Sequence, residues 1–91
     1  MTKAELVERV HQATGFTKTD VAFVCEHFLE SIKEAMAEGH NIEIRKFGTF
    51  KIKKRKPRTA RNPRTGAAVP IPERQIPVFK PSNEFKAKIH Q

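Results

Sequence analysis

The stretch NIEIRKFGTFKIK, residues 41–53, changes the period of the chain. Before it, apolar residues recur three and four apart; from Asn41 they recur every second residue. Ile42 and Ile44 point to one side and Glu43 and Arg45 to the other, the alternation of a half-buried strand. Gly48 marks a turn, after which Phe50 and Ile52 resume the alternation with Lys51 and Lys53 opposite. The stretch predicts a two-stranded hairpin with one apolar face. That face then continues as Lys54 and Lys56, so its apolar side ends at Ile52 and the strand leaves the core there.

Downstream, the chain turns at NPRTG (62–66) and returns through AAVPIPERQ (67–75). Apolar character resumes at Ile76, Val78 and Phe79. Residues 53–75 therefore predict a two-stranded arm, whose outward limb reaches about 30 Å at roughly 3.3 Å per residue. Pro57, Pro70, Pro72 and Pro77 each remove a ladder donor, and the basic residues repel a second copy. Both discourage edge-to-edge aggregation.

Upstream, the helical period predicts two helices. Thr2 caps the first, with Glu5 at the capping-box position and Leu6, Val7 and Val10 on one face. Gly15 stops it. Thr17 caps the second, Asp20 lies in its first turn, and Phe16 and Val21 are placed for a hydrophobic staple. An apolar stripe of Val21, Val24, Cys25, Phe28, Leu29, Ile32, Ala35 and Met36 runs to Gly39. A helix over 18–38 would be about 30 Å long. At the other end, Ser82 or Asn83 caps a short helix carrying Phe85 and Ile89. The expected fold class is α+β: a helical hairpin base over residues 1–39, a three-stranded antiparallel sheet with its β-ribbon arm over 40–81, and a C-terminal helix over 82–91. All 91 residues form one domain.

If the arm adds nothing to the core, fewer than seventy residues must build it, near the size where a single core supplies little net stability. The stripe on the long helix is too wide for one short helix and a small sheet to cover. A second copy is expected to share the core, and a two-fold dimer would turn two arms into a clamp.

The charge is unevenly placed. Residues 1–44 hold four basic residues against eight acids, and residues 45–91 hold fourteen against two. From Arg45 to Arg64 there are ten basic residues and no acid. An acidic half joined to a basic half predicts a scaffold carrying a polyanion-binding surface. Cys25 is the single cysteine, which excludes an internal disulfide and suggests a reducing, cytoplasmic setting. No segment has the apolar run of a signal peptide or a membrane span. His11, His27, His40 and His90 are scattered, and Cys25 diverges from His27 on a helix. No phosphate loop or dinucleotide glycine pattern occurs. No catalytic residue, metal site or cofactor is expected, and the chain does not read as an enzyme.

Nucleic acid is the expected polyanion, because lysine and arginine neutralise phosphates without reading sequence. A narrow minor groove concentrates negative potential and attracts arginine. Pro63, at the tip of the arm, is rigid and apolar and has no donor to desolvate. Such a ring can enter between base pairs and hold a kink, with Arg61 and Arg64 on phosphates or base edges.

The motifs KFGTF (46–50), RTARNPRTG (58–66) and PVFKP (77–81) resemble those of the bacterial histone-like HU and integration host factor family, in order and spacing over essentially the whole chain. HU-type proteins are themselves examples of wedge-driven bending. The resemblance implies an intertwined dimer whose two arms wrap bent duplex DNA at the bacterial nucleoid. It implies that Pro63 is the intercalating wedge and that Arg58, Arg61, Asn62 and Arg64, with Thr65 beside them, lie in or near the minor groove. Lys53 and Arg55 would line the inner arm, and Lys3, Lys80 and Lys86 would take phosphates along the flanks. Phe47 and Gly48 would combine a core aromatic with backbone amides near phosphate, and Lys46 would add a phosphate contact. Lys46 and Ala60 stand where the family usually has glycine. The expected function is largely non-specific binding and bending of duplex DNA, with nicked, gapped or pre-bent duplex preferred. Two alternatives stay open: a site-specific integration-host-factor-like subunit, with a paralogue as partner, and an RNA-binding module.

Overall fold

The helical period up to Gly39 becomes two helices, and each end has an identifiable cause. In the computed structural model, which describes residues 1–90, the first unit spans Met1–Ala35 and the second Met36–Gln91. Gln91, the last residue of the expected C-terminal helix, lies outside the described residues.

In the first unit, α1 spans Lys3–Thr14. Thr2 Oγ1 accepts the Glu5 N–H at 3.3 Å, satisfying one of the free donors of the first turn. Gly15 ends the helix at φ 77°, where its N–H donates to the His11 carbonyl at 2.9 Å. A left-handed residue there is cheap only for glycine. Helix α2 begins at Lys18, with Thr17 Oγ1 accepting the Asp20 N–H at 3.1 Å, and runs to Ala37. The expected end was Glu38; Gly39, at φ 96°, donates to the Met36 carbonyl and closes the helix one residue earlier.

Little of the apolar stripe is covered. Val21, 5 % exposed, is the only buried hydrophobic side chain among the described residues. Leu6 is 53 % exposed, Phe28 57 % and Val24 64 %. Val10, Phe16, Val21, Val24 and Cys25 line an open groove of about 420 Å³.

In the second unit the alternating stretch forms β1 (Ile42–Ile44) and β2 (Gly48–Arg55), joined by β5 (Arg74–Pro81) in an antiparallel sheet of order β1-β2-β5. Asn41 Oδ1 accepts the Ile52 N–H at 3.1 Å. Helix α3 spans Asn83–Ile89, and Ser82 is its cap, accepting the Phe85 N–H at 3.1 Å. Ser82 also donates its own N–H to the Phe47 carbonyl at 2.9 Å, which ties the start of α3 to the β1–β2 turn. Phe47, Phe50, Phe79 and Phe85 cluster with centroids 4.9 to 6.5 Å apart. Between β2 and β5 lies a second ribbon, β3 (Arg58–Arg61) paired with β4 (Ala68–Ile71).

The β1–β2 turn corrects one expectation. Gly48 is not the turn residue; it opens β2 and is buried opposite Pro81. The turn lies one step earlier and is closed by the Phe47 N–H donating to the Ile44 carbonyl at 3.0 Å. Its left-handed position falls on Lys46, φ 66°, the one non-glycine residue with positive φ among the described residues. A positive φ at the third residue alone is the pattern of a type II turn, which favours glycine there. A side-chain-bearing residue pays about 1–2 kcal/mol for that conformation, and glycine would lose about 0.5–1 kcal/mol of that in chain entropy. Lys46→Gly is therefore expected to stabilise the fold by about 0.5–1 kcal/mol, seen as a higher denaturant midpoint at unchanged m-value. A lower midpoint would show that the turn is not strained. Ala60, the other departure from glycine, stands in regular strand opposite Val69 and has no positive φ.

Candidate nucleic-acid interface

The tip of the β3–β4 ribbon is held by its own hydrogen bonds. The Asn62 N–H donates to the Ala67 carbonyl at 2.9 Å, and the Gly66 N–H to the Asn62 carbonyl at 2.8 Å. Asn62 Oδ1 accepts the Arg64 N–H at 2.9 Å, and Thr65 Oγ1 accepts the Ala67 N–H at 3.2 Å. Both are side-chain imitations of a backbone turn. Arg61 reaches the Gly66 carbonyl at 3.2 Å, and Gly66 takes φ 71°. Pro63 lies inside this braced loop, exposed. The structure thus gives Asn62 and Thr65 an internal bracing task and leaves the ring of Pro63 uncovered.

The ribbon carries charge on both faces. Arg58 and Ala60 share one face, and Thr59 and Arg61 the other, because side chains alternate along a strand. On β2, Lys51, Lys53 and Arg55 share the face opposite Phe50 and Ile52. Arg55 stands directly opposite Arg74. Like charges so paired are unfavourable unless an anion lies between them.

At the other end of the sheet, Lys51, Lys80 and Lys86 line a cleft of about 300 Å³ together with Thr49, Ser82 and Asn83. Sequence reasoning had singled out Lys80 and Lys86 but not Lys51. Its signal was the alternation with Lys53. Lys46 lies elsewhere, lining a cleft with Phe47, Glu84, Phe85, Lys88 and Ile89.

Lys3 is differently engaged. It pairs with Glu26 in the first unit, and its ammonium holds the Glu26 carboxyl below the usual range. Lys18 pairs with Glu8 at 2.6 Å and, with Gln12, lowers that carboxyl likewise. Glu30, 2.8 Å from Lys33, raises the lysine. Every ion pair found among the described residues lies within residues 3–40. The basic side chains from Arg45 onward have no acidic partner there, so their charge is available to an external anion. No helix among the described residues is long and apolar enough to cross a membrane.

The second unit thus combines a basic ribbon whose charges have no acidic partner among the described residues with a braced, proline-bearing tip. The chain belongs to the family described as bacterial DNA-binding protein, which its sequence matches over residues 1–90. It is 43% identical over 89 residues to DNA-binding protein HU of Thermus thermophilus, covering 98% of this chain and 92% of that one. It is 39% identical over 90 residues to integration host factor subunit alpha of Rhodospirillum rubrum, covering 99% and 86%. Among solved structures it is similar to HU in an Anabaena HU–DNA cocrystal, with TM-score 0.92 and 35% identity over 98% of this chain and 97% of that one. The family is not an enzymatic one.

Proposed function

We propose that the protein binds duplex DNA through the minor groove, largely without reading sequence, and bends it with Pro63 as the wedge at each arm tip. The observation that carries this reading is the tip itself: an uncovered proline in a hydrogen-bonded loop, flanked by Arg61 and Arg64. Such bracing suits any turn; what the tip adds is an apolar ring left exposed between two arginines. Arg58 and Arg61, on opposite ribbon faces, suit the two walls of a groove, while Lys53 and Arg55 line the inner arm. Thr65 and Asn62 hold the tip, and the Lys51–Lys80–Lys86 cleft takes a phosphate of the flanking duplex. Lys46 and the backbone at Gly48 add phosphate contacts of the second unit, and Lys3 adds one of the first.

The working form is a dimer. With one buried hydrophobic side chain among the described residues, a single chain lacks the apolar burial that a stable domain needs, at roughly 25 cal/mol per Å². A second copy on the exposed faces of α1 and α2 supplies it. Similarity to both HU and integration host factor alpha admits a like or a paralogous partner. The site of action is the bacterial nucleoid.

The phosphate contacts are tested by salt. Lys51→Ala is expected to lower the slope of log K against log salt by about one per chain, with equal weakening on unrelated sequences. An unchanged slope would remove Lys51 from the interface. At matched salt, double-stranded RNA should bind more weakly than DNA, because its minor groove is wide and shallow.

A further inference from the structure

We infer that Pro57 and Pro72 act as positioning residues, dividing the arm into two hydrogen-bonded segments joined by a hinge. The β2–β5 ladder ends with Arg55 opposite Arg74, and the β3–β4 ladder begins with Arg58 opposite Ile71. Both strands advance three residues across the gap, so the register does not slip. Pro57 and Pro72 therefore face each other at the interrupted rung. Neither has an N–H, and both strands lose a ladder donor at the same place.

The other prolines of the arm provide the internal comparison. Pro70 lies opposite Thr59 inside an unbroken ladder, and Pro77 lies opposite Ile52, whose N–H turns away to Asn41 Oδ1, so no ladder donor is lost at that rung. A single proline facing an ordinary residue is tolerated; the facing pair is where the ribbon parts. Among the described residues nothing packs over this rung either. Pro57, Thr59, Pro70, Ile71 and Pro72 line an open hollow of about 430 Å³, with Arg58 at the same hollow. Movement there costs neither ladder bonds nor packed contacts.

The braced segment from Arg58 to Ile71 then swings as one body on the ribbon that continues the sheet. A rigid arm fits one groove path. A hinged arm lets Pro63 reach its base step on duplexes of different curvature. This second half rests on the DNA-bending reading; the hinge itself does not.

The test replaces both prolines, Pro57→Val with Pro72→Val, which restores both donors with a strand-favouring residue. In the free protein, amide exchange at Arg55, Arg74 and Arg58, whose N–H groups point across the ribbon on the rungs either side of the pair, should slow by about tenfold or more as the ladder closes. Preference for nicked over intact duplex should fall at least about fivefold, because the stiffened arm no longer follows the bent path. Pro77→Val, inside an unbroken ladder, should change neither. The hinge is overturned by unchanged exchange or by an equal effect of Pro77→Val; slowed exchange with unchanged preference overturns the curvature-following role instead. If the double variant does not fold, Pro72→Val alone is held to the same two readouts. A wild-type protein with no preference for nicked duplex sinks the bending reading instead, and the exchange result alone then decides the hinge.

Discussion

Pro63→Ala is expected to abolish most of the bend in intact duplex while changing affinity for straight duplex at low salt by less than about threefold. The asymmetry follows from which groups do what. Affinity without sequence reading comes from phosphate neutralisation, and the substitution leaves every lysine and arginine in place. The bend requires one base step to be unstacked, at a cost of a few kcal/mol, and a solid apolar group to hold it open. Alanine has neither the ring nor the fixed φ. The loop survives the change, because its hydrogen bonds use Asn62, Arg64, Thr65, Gly66 and Ala67 rather than Pro63. Fluorescence transfer between the duplex ends reads the bend and titration reads the affinity. An unchanged bend would reject the wedge; a parallel loss of both would mean that Pro63 acts through the fold of the tip.

The second large effect concerns stability. A Cβ placed on Gly48 would lie 2.6 Å from the Lys80 carbonyl oxygen and 2.6 Å from two ring atoms of Phe79. The ring belongs to the four-phenylalanine cluster, and the carbonyl belongs to a strand in register with β2. Neither can retreat without opening packing or the ladder. Gly48→Ala should cost about 3 kcal/mol, at the upper end for overpacking. That is a large part of the 5–15 kcal/mol available to a small domain. Chemical denaturation at fixed protein concentration reads it, with Ala60→Gly as the comparison: a strand glycine costs only about 0.5–1 kcal/mol. A Gly48→Ala midpoint equal to wild type would show that β2 and β5 are farther apart than described.

The sequence makes legible what neighbouring residues decide and hides what distant ones decide. The helices were legible because their signals are local: Thr2 and Thr17 each cap a donor three residues on, and Gly15 closes its own helix. Gly48 misled because its role is not local. It was read as a turn residue, whereas its missing Cβ admits Phe79 and Lys80, about thirty residues away in the chain. The strained turn position fell on Lys46, a residue that advertises no turn. The paired strands of the arm were legible from the alternation and its end at Ile52. The break within them was not, because each proline was read singly as protection of an edge. That Pro57 faces Pro72 depends on register, which the tip loop sets. At the interface, the charge run was plain, but the convergence of Lys51 with Lys80 and Lys86 needs two strands and a helix to be placed together.

Titration of straight, nicked and gapped duplexes of one sequence, at several salt concentrations, tests the central claim most directly. Binding should weaken steeply with salt for all three, and at each salt the nicked and gapped forms should bind tighter than the straight one, because less deformation energy is required. Equal affinity for the three forms would contradict an arm that binds by holding DNA bent.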